Sequence, residues 1–227
     1  MQSNVLVFAK RSLKLSKIQT GVGLGLAAFG IFVIFALSLL AGSSSAAVFL
    51  ISVSLMTFGL LMFTLPVTLL YVYDKNNGVL EYLLSLGWNQ SDVFKQYLKA
   101  ALFLAVILFT GEGAAILIAG AIAGSTAVFL LDLLMLFLTA FLGFSVVSLV
   151  TVAMIAFSSL QKQRVGANTP LGTVIGVPFI FPTFYLSFIG FIPELIVVLS
   201  LCILAGGLSA GLLLLSSRLI RREKMLP

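Results

Sequence analysis

At 227 residues, with 61% hydrophobic and only 9% charged, the chain lies far outside soluble globular composition, which is about half apolar and a quarter charged. Its mean hydropathy of +1.23 marks an integral membrane protein with no room for a separate soluble domain. A single cysteine, Cys202, and no histidine exclude an intramolecular disulfide, a thiol metal cluster and an imidazole proton relay.

Residues 3–19, SNVLVFAKRSLKLSKIQ, interleave Val5, Leu6, Phe8, Leu13 and Ile18 with Lys10, Arg11, Lys14 and Lys17. That pattern predicts a basic amphipathic helix lying in the membrane interface, or a cationic leader flanking the first span. The first twenty residues lack a continuous apolar core, so no cleavable signal peptide is expected. A span needs about 20 apolar residues, and six can be placed: 22–40, 47–72, 100–118, 127–157, a proline-broken fifth within 169–194, and 195–215. The expected fold is all-α, one membrane domain over 1–227, with no internal repeat.

The basic residues set the orientation. Four lie in the leader, three (Lys75, Lys95, Lys99) between spans two and three, two (Lys162, Arg164) between spans four and five, and four (Arg218, Arg221, Arg222, Lys224) at the end. With six spans all four groups fall on one side, which the positive-inside rule makes cytoplasmic, along with both termini. The net charge of +6 is therefore read as topology in a cell membrane and as contact with membrane lipid, with no nucleic-acid partner.

The longest polar interruption is 73–99, YDKNNGVLEYLLSLGWNQSDVFKQYLK. Asn77 or Asp74 can cap a short helix from about Gly78 to Leu86, and Gly87 can end it. On a helical wheel Val79, Leu80, Leu83, Leu84 and Leu86 share one arc, with Glu81 and Ser85 opposite and Tyr82 at the edge. Trp88 suits the interface, and Asn89 or Ser91 can cap the next helix. Such a helix could seat Leu80, Leu83 and Leu84 in a partner's groove with Glu81 as a charged handle. Which leucines face the partner and which face the chain's own helices is left open by the sequence.

The order of a long apolar helix, an acidic residue, N-G-V-L-E-Y-L-L-S-L and a lysine at the next span resembles the coupling segment of type-2 ABC exporter permeases. Asp74, Gly78, Val79, Leu80, Glu81, Leu83, Leu84 and Lys99 match that pattern, and Gly87 stands where a proline is common. The resemblance covers about a tenth of the chain at the motif, and the span count and basic leader are compatible with it. It implies that segment 74–92 docks on an ATPase subunit and that a second permease copy, identical or different, completes the transporter. No G-x-x-x-x-G-K-[ST] occurs, so this chain is expected to hold no cofactor and no catalytic residue. ATP and magnesium would belong to the partner ATPase.

The fifth segment carries Pro170, Pro178, Pro182 and Pro193, too many for one regular helix. Non-helical backbone at membrane depth persists only where it is buried in protein or lines a cavity. Pro178 and Pro182, in VPFIFP, also resemble the short haem-exporter permeases. Glu112 lies 13 residues beyond Lys99, about 20 Å up a helix. Asp132 follows the loop GSTA at similar depth, so both acids are candidates for a substrate path, a structural contact or a solvated edge. They also support the alternative of an ATP-independent channel or secondary transporter. A structural membrane protein whose hairpin binds a partner is the third reading. The GxxxG pairs Gly21/Gly25, Gly120/Gly124 and Gly207/Gly211 predict close helix packing within the protomer. For substrate, an apolar or amphipathic molecule suits an apolar path better than a small ion.

Overall fold

Long apolar runs leave the backbone no hydrogen-bonding partner in lipid except itself, and every described element is a helix. The computed structural model describes residues 4–41, 46–123, 126–158 and 194–219. The proline-broken fifth segment, with Pro178 and Pro182, lies outside them. The helices are α1 (Asn4–Leu15), α2 (Lys17–Ala41), α3 (Ala46–Asn76), α4 (Val79–Ser85), α5 (Gln90–Ala123), α6 (Thr126–Ser158) and α7 (Glu194–Leu219).

Three stretches, Leu55–Asn76, Gln90–Ala115 and Leu136–Ile155, are long and apolar enough to cross a membrane. They correspond to expected spans two, three and four. Val5–Leu15 and Lys17–Phe32 form a fourth only if taken together, because the chain turns by 96° between them; the apolar part of α7, Leu199–Leu214, is shorter. At that turn the Ser16 hydroxyl donates to Gln19 Oε1 (2.7 Å), and α1 stands apart as its own amphipathic helix. Phe8, Ala9 and Ser12 are buried, while Leu6, Val7 and the basic residues Lys10 and Lys14 point outward.

Two of the expected spans are longer than their apolar runs suggest. Helix α3 continues through Tyr73, Asp74, Lys75 and Asn76, and α5 begins ten residues before Ala100. The polar residues at these ends keep helical hydrogen bonding because they extend the same packed faces. Helix α3 packs on α2, α5 and α6; α6 also packs on α5 and α7. One apolar core joins α1, α2, α3, α4, α5 and part of α6 around Leu60, Tyr71, Leu80 and Tyr97. A second joins α3, α6 and α7 around Met56, Leu142, Val146 and Cys202.

Among the described glycines, the ones that bring helices together are not Gly21, Gly25, Gly207 or Gly211. A Cβ at Gly21, Gly25, Gly207 or Gly211 would meet nothing within 4 Å, whereas one at Gly23 would lie 2.7 Å from the Phe63 amide nitrogen. Backbone of α2 and α3 therefore touches at Gly23, and the phase of the i,i+4 pairs is wrong for this contact. The third pair, Gly120/Gly124, has no described side-chain environment. Gly23→Ala should lower stability by about 1–3 kcal/mol through overpacking. Gly21→Ala should be neutral or stabilising, since alanine is the better helix former. Thermal unfolding of the two variants in one detergent checks the contrast.

Candidate functional site

The expected hairpin between spans two and three is present, and its parts divide into an internal anchor and an outward helix. Asp74 belongs to the anchor. It lies in the last turn of α3, with no solvent exposure, and the Arg11 Nη2 donates to its Oδ1 at 2.8 Å. The Tyr97 hydroxyl donates to the other oxygen, Oδ2, at 2.7 Å. The Tyr97 ring sits edge-on between Phe8 (4.8 Å between centroids) and Tyr71 (5.2 Å). One carboxylate thus fastens α1, α3 and α5 together, with both oxygens satisfied by charge-assisted or hydroxyl donors.

That placement corrects the capping role read for Asp74. Helix α4 starts after Gly78, whose φ of 71° is left-handed, and no side chain caps it. Asn77 does not cap it either: its Nδ2 donates backward to the Tyr73 carbonyl (2.8 Å). Ser91 lies inside α5, and the Asn89 carbonyl accepts from the Asp92 and Val93 amides (2.9 and 3.0 Å).

Gly87 does end α4 as expected. With φ 85°, it lets its own amide donate to Leu84 (3.1 Å) and the Trp88 amide donate to Leu83 (3.2 Å). This paired closure satisfies the last carbonyls of the helix and needs a residue that accepts left-handed backbone. Leu83 and Trp88 both rest half-buried on the first core, so the tryptophan is tied to the hairpin rather than standing free.

The leucines left open by the sequence are now assigned. Leu80 and Leu84 are buried in the first core, alongside Val93, Phe94 and Tyr97 of α5. They cannot be anchors for a partner while α4 stays seated. Leu86, placed on the apolar arc by the wheel, instead points outward at 58% exposure, beside Tyr82 at 63%. Glu81 and Ser85 are exposed as expected. The outward face of α4 is therefore a carboxylate, a phenol, a hydroxyl and one leucine, carried on a helix whose other face is locked to α3 and α5.

Comparison with family models, with characterised proteins and with solved structures finds no match to this chain.

The other candidate acids lie far from the hairpin. Glu112, on α5, has 1% exposure, and neither carboxyl oxygen has a hydrogen-bond partner. A solvated edge position is overturned for it. Asp132 lies in the second turn of α6, and its side-chain surroundings are outside the described residues. Between α5, α6 and α7, an open groove of about 600 Å³ is lined by Val106, Phe137, Phe141, Phe144, Ser148 and Ser209, among others. No cluster of acidic, cysteine or histidine side chains with metal-binding geometry occurs among the described residues. Arg11 and Tyr97 were missed as partners of Asp74 because they lie 63 and 23 residues away, beyond any spacing rule.

Proposed function

We propose that the chain is the transmembrane permease subunit of an ATP-binding cassette exporter. In this reading it has six spans, both termini in the cytoplasm and α1 lying in the inner interface. A separate ATPase binds ATP and magnesium, and two permease copies enclose the path for an apolar or amphipathic substrate. The observation that carries the reading is the two-faced α4. A short helix presenting Glu81, Tyr82 and Leu86 outward, with Leu80 and Leu84 buried, is built to receive force from a partner and pass it on. A mobile loop would dissipate that force; here α4 shares one apolar core with α1, α3 and α5. Lys75, Lys95 and Lys99 flank it, consistent with a cytoplasmic location.

The mechanism is alternating access. Closure of the ATPase dimer displaces α4, the Asp74 anchor carries the displacement into α3 and α5 as a unit, and the paired permeases open outward. In this reading ATP hydrolysis is assigned to the partner, since no G-x-x-x-x-G-K-[ST] occurs in this sequence. Purification from native membranes in a mild detergent should yield a second polypeptide with ATP-hydrolysing activity in near-equal amount. Recovery of the chain alone, repeatedly and at native expression, contradicts the proposal.

A further inference from the structure

Six buried side-chain polar atoms among the described residues lack a hydrogen-bond partner, and four of them belong to Glu112, Thr57 and Thr139. The helix register brings these three residues to one depth. Tyr71 of α3 meets Tyr97 of α5, and the two helices run antiparallel. Climbing α5 from Tyr97 to Glu112 therefore descends α3 from Tyr71 to Met56, the neighbour of Thr57. Between α3 and α6, which run parallel, a Cβ on Gly143 would strike Leu60 at 2.6 Å. Stepping outward from that contact by three or four residues on each helix gives Thr57 and Thr139. Between α5 and α6, Gly113 faces Leu136 and Phe109 meets Phe144, which brackets Thr139 opposite Glu112. The three side chains lie within about one helical turn, ~5 Å, of a common level.

Their lack of partners is unusual for their residue types. Buried threonines in helices ordinarily donate to a carbonyl three or four residues back, as Thr64 and Thr68 do here (2.9 and 2.7 Å). Thr57 and Thr139 have 1% and no exposure and keep their hydroxyl oxygens unengaged. A carboxylate in such surroundings is far costlier than an unpaired hydroxyl, and no lysine or arginine occurs between Lys99 and Lys162 to neutralise it.

We propose that Glu112, Thr57 and Thr139 form a binding site, in the protomer core, for one positive charge supplied as a proton or as an alkali ion. Charge balance selects the class: one carboxylate takes one monovalent cation, and hydroxyl and carboxylate oxygens are hard ligands suited to an alkali ion or a proton and not to a soft metal. Of the other titratable groups, Cys202 of α7 lies nearest, its Sγ donating to the carbonyl of Leu138, the neighbour of Thr139 (3.9 Å); most of the rest lie toward the Asp74 end. On α3 they are Tyr71, Tyr73, Asp74 and Lys75; on α4, Glu81 and Tyr82; on α1 and α2, Lys10, Arg11, Lys14 and Lys17. On α5 itself they are Asp92, Lys95, Tyr97 and Lys99, all at the Asp74 end, at least about 20 Å along the helix. Asp132 of α6 is the nearest acid by register, level with residue 117 of α5. The site does not depend on the energy source for transport, since it lies within a single chain.

Thermal unfolding of the purified full chain in detergent, followed by Trp88 fluorescence, tests it against Glu112→Gln. One series varies sodium against choline at fixed pH and ionic strength; the other varies pH in choline alone. A ligand bound only by the folded chain raises stability by a constant amount per decade once its site is filled, or about 2–4 °C per tenfold change for a chain of this size. The wild type should gain that increment relative to Glu112→Gln in one series. A gain with sodium identifies an alkali ion; a gain with falling pH alone identifies a proton, since a buried acid that keeps its proton when folded favours the fold at low pH. Thr139→Val should reduce the same increment, and it covers the case in which Glu112→Gln fails to fold. Parallel curves for wild type and variants in both series, as a buried water alone would give, overturn the proposal.

Discussion

Arg11→Ala should lower the melting temperature by about 5 °C, corresponding to roughly 2 kcal/mol for a chain of this length. The expected size follows from asymmetry in the pair. The Arg11 side chain is 42% exposed and the Asp74 side chain is fully buried. Removing the arginine strands a buried carboxylate with only the Tyr97 hydroxyl to satisfy it. Leaving one member of a buried ion pair uncompensated costs more than the pair contributes, up to about 3–5 kcal/mol when both partners are buried. Solvent screening at Arg11 places this case below that range. The sign of a second change is more diagnostic than the size of the first. Asp74→Asn keeps an acceptor for Tyr97 and discards the stranded charge, so Arg11→Ala with Asp74→Asn should melt above Arg11→Ala alone. Additive losses in the double variant would show that the two side chains do not act as a pair.

The same anchor separates what the local sequence encodes from what only the fold supplies. The helical class and the approximate positions of α2, α3, α5, α6 and α7 follow from apolar runs, which are local properties of the chain. The short helix ending at Gly87 was legible too, because left-handed backbone demands glycine and the sequence supplies one after SL. Asp74 was not legible. As a lone acid next to an asparagine and a glycine it has the composition of a cap, and its true partners are distant in sequence. Leu86 failed for a different reason. The wheel projects an ideal helix past its last turn, whereas α4 stops at Ser85 and Leu86 turns outward as its cap. The GxxxG spacing at Gly21 and Gly25 misled because close approach depends on which face meets α3, and Gly23 holds that face.

Glu81→Lys should weaken the proposed ATPase complex by at least 30-fold while lowering the melting temperature by no more than about 3–4 °C, the loss expected from reversing a charge in the first turn of α4. A charge reversal on an exposed residue of a partner surface can cost 2 kcal/mol or more in binding, which is a factor of about 30. Surface substitutions away from caps and pairs change stability little, and Glu81 makes neither an ion pair nor a cap among the described contacts. Leu80→Ala should behave in the opposite way. Leu80 has no exposure, so its truncation opens a cavity and costs about 2–5 kcal/mol of stability, with binding affected only through loss of the seated helix. Two neighbouring residues on one short helix should therefore separate cleanly, one altering association and the other altering folding. If Leu80→Ala released the partner at full stability, the inward and outward faces would be assigned the wrong way round.

In the proposed complex the outward face of α4 meets an ATPase. A photo-crosslinking residue at Tyr82 tests that contact in native membranes, with the same residue placed at Val106, on the groove side of α5, as the control. An adduct at Tyr82 that retains ATP binding, with none at Val106, is the predicted result. Equal adducts at both positions, or an adduct at Tyr82 whose partner binds no nucleotide, would contradict the account.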